Sequence, residues 1–347
     1  MNSTGYDGRV ARHGEVSTAL ALLGDRQLGE LVAGAPRAGA GIGGTSAVLE
    51  VDGVPVFVKR VPLTDRELSP DGSRSTANLF GLPLSCQYGA GGPGFGAWRE
   101  LAANVMTTNW VLTGRSGAFP LLYHWRVLPG GLPVPDEHAD VDNVVARYGG
   151  SPAVRDRLEA LAKASASLVL FSEHVPHNLA DWLRATDDVP AACALLEQML
   201  PAVTAMNEGG LLHFDAHFRN LLTDGRRLYV ADLGLATSPR FELSAAERDF
   251  VAHNAGHDAA YAVMLLVNWL VIRVCGVPVT VERNAYVRRC AAGTAPVGVP
   301  ESVSALVMRY APVAAVMNDF YWEVFGGKPD TPFPAAEVAR AFAGATD

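Results

Sequence analysis

An Asp52-Gly53 pair stands between two β-rich runs, Ala47-Val48-Leu49-Glu50-Val51 and Val54-Pro55-Val56-Phe57-Val58-Lys59. No other stretch constrains the fold as much, because Asp-Gly between alternating apolar residues specifies a two-residue hairpin turn. Just before it the chain turns through Gly41-Ile42-Gly43-Gly44-Thr45-Ser46. Gly-rich turn, hairpin and Lys59 therefore form one small antiparallel unit.

Around this unit the pattern changes. Apolar positions at Val16, Leu20, Leu23, Leu28, Leu31 and Val32 make a helical stripe broken at Gly24-Asp25, and residues 1–35 read as a helical extension. Residues 62–96, dense in Pro, Gly and Ser, suit a long irregular connection, and a connection of that length usually has a function. Ala97 to Leu112 is helical and carries Glu100. Phe119 to Leu128 is strand-like; a Pro/Gly-broken stretch runs to Pro152, and a helix is expected near Val154 to Ser165. Leu168-Val169-Leu170-Phe171 is a short apolar strand, and Asn178 caps a helix at Leu179 to Arg184. Beyond it the chain is mostly helical, except for a strand pair around Asp224-Gly225.

The composition narrows the class. Of 347 residues, 49% are apolar and 18% charged, which describes a globular protein with room for two lobes. Cys86, Cys193, Cys275 and Cys290 form no Cys-X-X-Cys pair, which argues against a zinc site or disulfide framework and fits a reducing cytoplasm. Residues 1–14 have no apolar run of signal-peptide type. The most apolar segment, Ala259 to Leu270, is shorter than the roughly 20 residues of a membrane span and reads as a buried helix, so no membrane partner is expected. A formal charge of -8 without a Lys/Arg cluster speaks against nucleic acid. Nothing bears on oligomeric state beyond the absence of a heptad stripe.

The chemistry-bearing run is His213-Phe214-Asp215-Ala216-His217-Phe218-Arg219-Asn220, followed by Asp232-Leu233-Gly234. An Asp can take a hydrogen bond from an attacking hydroxyl, and an Asn with a second Asp offers the hard oxygen donors that magnesium prefers. With the upstream turn, Lys59 and Glu100, these groups stand in the order of a kinase signature, and only that order and spacing carry weight.

On these residues the chain resembles the protein-kinase-like superfamily, which includes eukaryotic-type protein kinases and the aminoglycoside and choline phosphotransferases. The motifs span roughly residues 39 to 260. The resemblance implies an α+β, bilobal fold: a small antiparallel-sheet N-lobe with one main helix at 36–174, carrying insertions at 62–96 and 129–165, and a helical C-lobe at 175–347. It implies ATP and magnesium (Mg2+) as cofactors. Asp215 would orient the hydroxyl, while Asn220 and Asp232 hold the metal. Lys59 would meet the α and β phosphates and pair with Glu100, with Glu67 and Glu173 as rivals. Gly41, Gly43, Gly44 and Ser46 would approach the phosphates through backbone N–H groups. Glu173 and Val175 would present hinge backbone to the adenine. His213 would support the loop from below.

Departures from the pattern separate the acceptor classes. Phe214 replaces the Arg of regulated protein kinases and cannot pair with a phosphate, so phosphorylation of Thr237, Ser238 or Ser244 is not expected to be required. His217 is similar to the small-molecule phosphotransferases, Asp232-Leu233-Gly234-Leu235-Ala236 to the protein kinases, and no Ala-Pro-Glu follows. The first expectation is Ser/Thr of a peptide or protein, including a ribosomally made natural-product precursor, lying on the two insertions. The alternative is an antibiotic-type small molecule in a pocket lined by Asp258, Asp319 and Glu323. A pseudokinase binding module is the third.

Overall fold

The structure, a computed structural model, describes residues 5–41 and 44–345. It is mixed α+β. Helices α1 (Tyr6–Ala21) and α2 (Asp25–Gly34) precede strands β1 (Arg37–Gly41), β2 (Gly44–Val51) and β3 (Val54–Leu63). Asp52 and Gly53 both adopt positive φ, 49° and 78°, as a primed hairpin turn requires. After α3 (Asp65–Leu68) and α4 (Ala97–Leu112), β4 (Leu122–Pro129) and β5 (Ala166–Glu173) complete an antiparallel sheet of order β1-β2-β3-β5-β4.

Strand alternation decides which way Lys59 points. Val56 and Val58 face one core with Val169 and Phe171, which α1 and α2 cover through Val16, Leu20, Leu28 and Val32. Val61 and Leu63 face the other side with Leu168 and Leu170, against Trp98 and Leu101 of α4. Lys59 shares the parity of Val61 and pairs in register with Leu170, so its side chain is on the α4 face.

The two insertions are more ordered than the sequence suggests. Residues 129–165 contain α5 (Val141–Arg147), where only a broken stretch is expected, and α6 (Pro152–Ala162). Apolar residues of both insertions share a small core, with Phe80, Leu82 and Phe95 against Val144, Tyr148 and Leu158. A buried ion pair, Arg157 to Glu67 at 2.7 Å, joins them. Arg157 also donates to Gly94 O at 3.2 Å, and Arg147 donates to Ala90 O at 2.7 Å. Glu67 is therefore committed to Arg157 and is no rival for Lys59.

The remainder is helical around a second small sheet. It comprises β6 (His177–Asn178), α7 (Leu179–Ala185), α8 (Val189–Leu196), α9 (Met199–Glu208), β7 (Leu221–Thr223) and β8 (Leu228–Val230). There follow α10 (Ala245–His253), α11 (His257–Arg273), α12 (Val281–Ala291), α13 (Glu301–Phe325) and α14 (Ala335–Ala343). Asn178 caps α7, its side-chain oxygen accepting from Ala180 and Asp181 N–H groups. Helix α11, which contains the apolar run from Ala259, is buried against α9 and α13. The four cysteines are free thiols.

Candidate active site

A cleft of about 630 Å³ opens between the five-stranded sheet and the helical part. Val48, Phe57 and Lys59 line it from the sheet, Glu100 and Asn104 from α4, and Asn220 and Asp232 from the segments around β7 and β8. The structure brings together residues far apart in sequence: Lys59 Nζ lies 2.7 Å from Glu100 Oε1 and 2.7 Å from Asp232 Oδ1. Burial works against the Lys59 charge, but the two carboxylates raise its pKa and keep it an ammonium. For Asp232, burial disfavours ionisation, yet the charge and hydrogen bond of Lys59 hold it below the usual carboxylate range.

Asp215 stands at the edge of this arrangement rather than in the cleft lining. Asn220 Nδ2 donates to both Asp215 O at 2.8 Å and Asp215 Oδ2 at 2.9 Å. With both N–H bonds used on Asp215, the Asn220 Oδ1 carbonyl is not engaged in that contact. Burial, with Asp232 adding to it, pushes the Asp215 carboxyl up to about 7, against the opposing influence of His213, Asn220 and Lys59. His217 Nε2 is 3.7 Å from Asp215 Oδ1, and its Nδ1 is buried with no hydrogen-bond partner among the described residues. Burial lowers the pKa of the His217 imidazole.

The loop is held from beneath. His213 is fully buried; its Nε2 donates to Ala231 O at 2.9 Å, so Nδ1 accepts from Asp215 N–H at 3.2 Å. Asp258 accepts the N–H groups of His213 at 2.7 Å and Phe214 at 2.9 Å, and Asn207 Nδ2 at 2.8 Å. Burial works against its charge, yet the neighbouring His257 and these donors hold its carboxyl down at about 2. Phe214 is buried in the left-handed region at φ 63°, stacked on His257 at 5.0 Å, and Asp232 is left-handed at φ 53°. Left-handed backbone at two non-glycine residues persists only where the surroundings over-determine it, and such positions cluster at functional sites.

Some sequence expectations need correction. The Glu173 side chain turns away from the cleft into a bidentate pair with Arg9, at 3.0 Å and 2.6 Å. Its backbone N–H is donated to Leu121 O at 2.8 Å, and the segment from Glu173 to Pro176 lines the cleft. None of the three carboxylates expected in an acidic pocket lines one: Asp258 is under the loop, Asp319 pairs with Arg288, and Glu323 pairs with Lys328. Gly41 and Gly44 pair across the β1–β2 turn, and Ser46 lines the cleft, whereas Gly43 lies outside the described residues. Gly44 is required: at φ 115° its Cβ would stand 1.9 Å from Arg60 O. Thr237 and Ser238 are buried, with Ser238 Oγ bonded to Gly210 O at 2.6 Å, and Ser244 caps α10.

No family model matches the chain, and no curated protein matches it. The site must be read from its chemistry.

Among the described residues no three His, Cys, Asp or Glu side chains cluster to hold a metal ion. Magnesium does not need such a cluster, since it is usually held by one or two carboxylates with water and phosphate. Asn220, whose side-chain carbonyl is left over from its bonds to Asp215, and the Asp232 carboxylate are hard oxygen donors among the cleft-lining residues, and they fit that role. Sequence reading missed the residues that support the site: Arg9, Asp258 as a backbone acceptor, and Gly89, which packs on Asp215. A lone Asp at the start of a long apolar helix was the only signal for Asp258, and Arg9 had none.

Proposed function

We propose that the chain is a bilobal, protein-kinase-like phosphotransferase that moves the γ-phosphoryl group of ATP, with magnesium, to a hydroxyl group. One observation carries this reading: Lys59 Nζ bridges Glu100 and Asp232 at 2.7 Å each, in a cleft that also holds Asn220, with Asp215 bound to Asn220. A cation gripped by two carboxylates is costly to assemble for stability alone, because desolvation offsets much of the attraction. It is well suited to receive a polyphosphate, which replaces one carboxylate as the partner of the ammonium.

In this reading the ammonium of Lys59, aimed by Glu100, meets the α and β phosphates. Backbone around Gly41, Gly44 and Ser46 closes over them, and backbone between Glu173 and Val175 meets the adenine edge. Asn220 Oδ1 and Asp232 would hold magnesium, which when bound neutralises phosphate charge. Asp215, when ionised, accepts a hydrogen bond from the acceptor hydroxyl and aligns its oxygen on the γ-phosphorus. Because this chemistry is mainly positioning and charge neutralisation, the strained loop resting on Asp258 serves it directly.

Either a peptide or a small molecule remains open as the acceptor, and the packing of the two insertions against each other through Phe80, Phe95, Val144 and Leu158 favours the small molecule. The test is magnesium-dependent ADP release together with calorimetric nucleotide binding. Asp215→Ala is expected to lower turnover about 10²–10⁴-fold with nucleotide binding retained, and Asp232→Ala and Lys59→Ala to weaken binding. Unchanged turnover in Asp215→Ala overturns the assignment; tight binding without any turnover in the wild type leaves a pseudokinase.

A further inference from the structure

A second cavity lies beside the proposed nucleotide cleft. An open cavity of about 870 Å³ lies among α7, α11, α12 and α13, and the loop residue Phe218 forms part of its wall. Phe218 lines this cavity while Arg219 and Asn220 line the cleft, so one short segment after Asp215 separates the two. Tyr261 and Tyr321, which also line it, are buried.

Its walls are aromatic and apolar, with Trp269, Trp322 and Phe325 joining the two tyrosines. Trp322 and Phe325 remain 54% and 63% exposed at its mouth. Such a surface is expensive to leave in water unless a ligand covers it. Two polar features interrupt it. Asn268 and Asn318 are buried and exchange reciprocal amide hydrogen bonds of 2.8 Å and 3.0 Å, which leaves each a further N–H. Three arginines, and no carboxylate, are among the lining residues. Arg184 and Arg273 are each paired at 2.8 Å, with Asp181 and Asp187. Arg283 is half-buried, and its Nε and Nη2 both donate to Asn284 Oδ1, at 3.3 Å and 3.0 Å; among the described residues no carboxylate pairs with it. A partly desolvated guanidinium without a counter-ion is a cost that an anion would relieve.

We propose that this cavity is the acceptor site and takes a small aromatic alcohol bearing a carboxylate that pairs with Arg283. The proposal rests on the phosphotransferase reading. In the transfer, the acceptor oxygen forms a bond to the γ-phosphorus, the bond from that phosphorus to the β–γ bridging oxygen breaks, ADP departs, and the hydroxyl proton passes to the Asp215 carboxylate. A polycationic aminocyclitol is the wrong partner, since it would meet arginines and aromatic rings with no carboxylate.

The test uses the full chain and three calorimetric probes: 6-hydroxy-2-naphthoate, the uncharged 2-naphthol, and the polycation kanamycin. The naphthoate is expected to bind about tenfold more tightly than 2-naphthol, as a partly buried charge pair allows. Arg283→Gln is expected to remove that advantage while leaving the affinities for 2-naphthol and MgATP unchanged. Trp269→Ala should weaken both naphthalene probes alike. Equal binding of the two, preference for kanamycin, or indifference to Arg283→Gln overturns the proposal, and so does naphthoate binding without phosphoryl transfer to it in a chain that binds MgATP. Failure of the wild type to bind MgATP overturns the phosphotransferase reading instead, and the naphthoate titrations then decide the cavity independently.

Discussion

Gly89 packs so closely on Asp215 that a Cβ at Gly89 would stand 2.6 Å from Asp215 Oδ1. Gly89 also has φ 64° and closes the 3-10 turn Leu84–Tyr88, which Gln87 anchors by a hydrogen bond to Leu235 O. The first insertion thus fixes one side of the proposed catalytic carboxylate. Gly89→Ala would strain the turn by about 1–2 kcal/mol and push the carboxylate aside. A displacement near 1 Å can cost about 10²-fold in rate, so turnover is expected to fall by that order with MgATP affinity unchanged. Equal kinetics in Gly89→Ala and wild type would show that the carboxylate has room to yield.

The pH profile should report the same carboxylate. Burial raises Asp215 to about 7 in the fold, above its unfolded value near 3.9. Between these values the folded state keeps a proton that the unfolded chain has lost, so this contribution to stability falls as pH rises and is lost above about 7. In the proposed mechanism activity moves oppositely, because there the ionised form accepts the hydroxyl hydrogen bond. We expect kcat/KM to rise to a plateau above pH about 7, and Asp215→Asn to gain stability over wild type at pH 8 more than at pH 4. A flat profile from pH 5 to 9, with chemistry rate-limiting, would contradict this.

The fold and the cleft were legible to different depths. Asp52-Gly53 and the alternation around it specify local geometry, and Lys59 follows on the α4 face by parity alone. The pairing of Lys59 with Glu100 spans 41 residues and an irregular connection, so only the order of motifs hinted at it. Helix α5 was hidden by flanking Pro and Gly residues and by an apolar pattern too short to show a period. Three-dimensional supports such as Arg9 on Glu173 and Asp258 on the loop amides leave no periodic trace. The acidic pocket failed for a related reason: a carboxylate in sequence does not disclose whether it faces a cavity, a backbone amide or a neighbouring Arg.

The Arg9–Glu173 pair makes the N-terminal helix part of the site's foundation. Both side chains are buried, and Arg9 also donates to Phe119 O at 2.6 Å and Gly117 O at 3.1 Å. Arg9→Leu would leave the Glu173 carboxylate buried, with Arg12 no nearer than 3.9 Å. Breaking one half of such a pair costs about 3–5 kcal/mol, whereas replacing both halves by apolar residues costs much less. Urea unfolding of Arg9→Leu, Glu173→Leu and the double variant is expected to show the double variant more stable than Arg9→Leu. Additive losses would mean that the pair is not coupled.

Asp258 joins stability and activity most directly. Its two oxygens accept the N–H groups of His213 and Phe214, and His257 Nδ1 lies 3.1 Å away, its Nε2 facing Tyr321 OH at 2.8 Å. Without that carboxylate two buried N–H groups lose their acceptor, at about 1–3 kcal/mol each, and the backbone bonds that hold Phe214 at φ 63° are lost, leaving only its ring packing. Because the folded-state carboxyl is held down at about 2, its contribution is present above the ordinary carboxylate range and is lost as pH falls toward that value. Asp258→Ala is therefore expected to lower thermal stability at pH 7 by several degrees or more, to unfold with less acid dependence than wild type, and to lose turnover ahead of MgATP binding, since Lys59, Glu100 and Asp232 stand outside the loop. Asp258→Asn, with one carbonyl for two amides, should fall between. Loss of MgATP binding in step with turnover, in a variant still folded by circular dichroism, would show that Asp258 supports the whole cleft rather than the loop that carries Asp215.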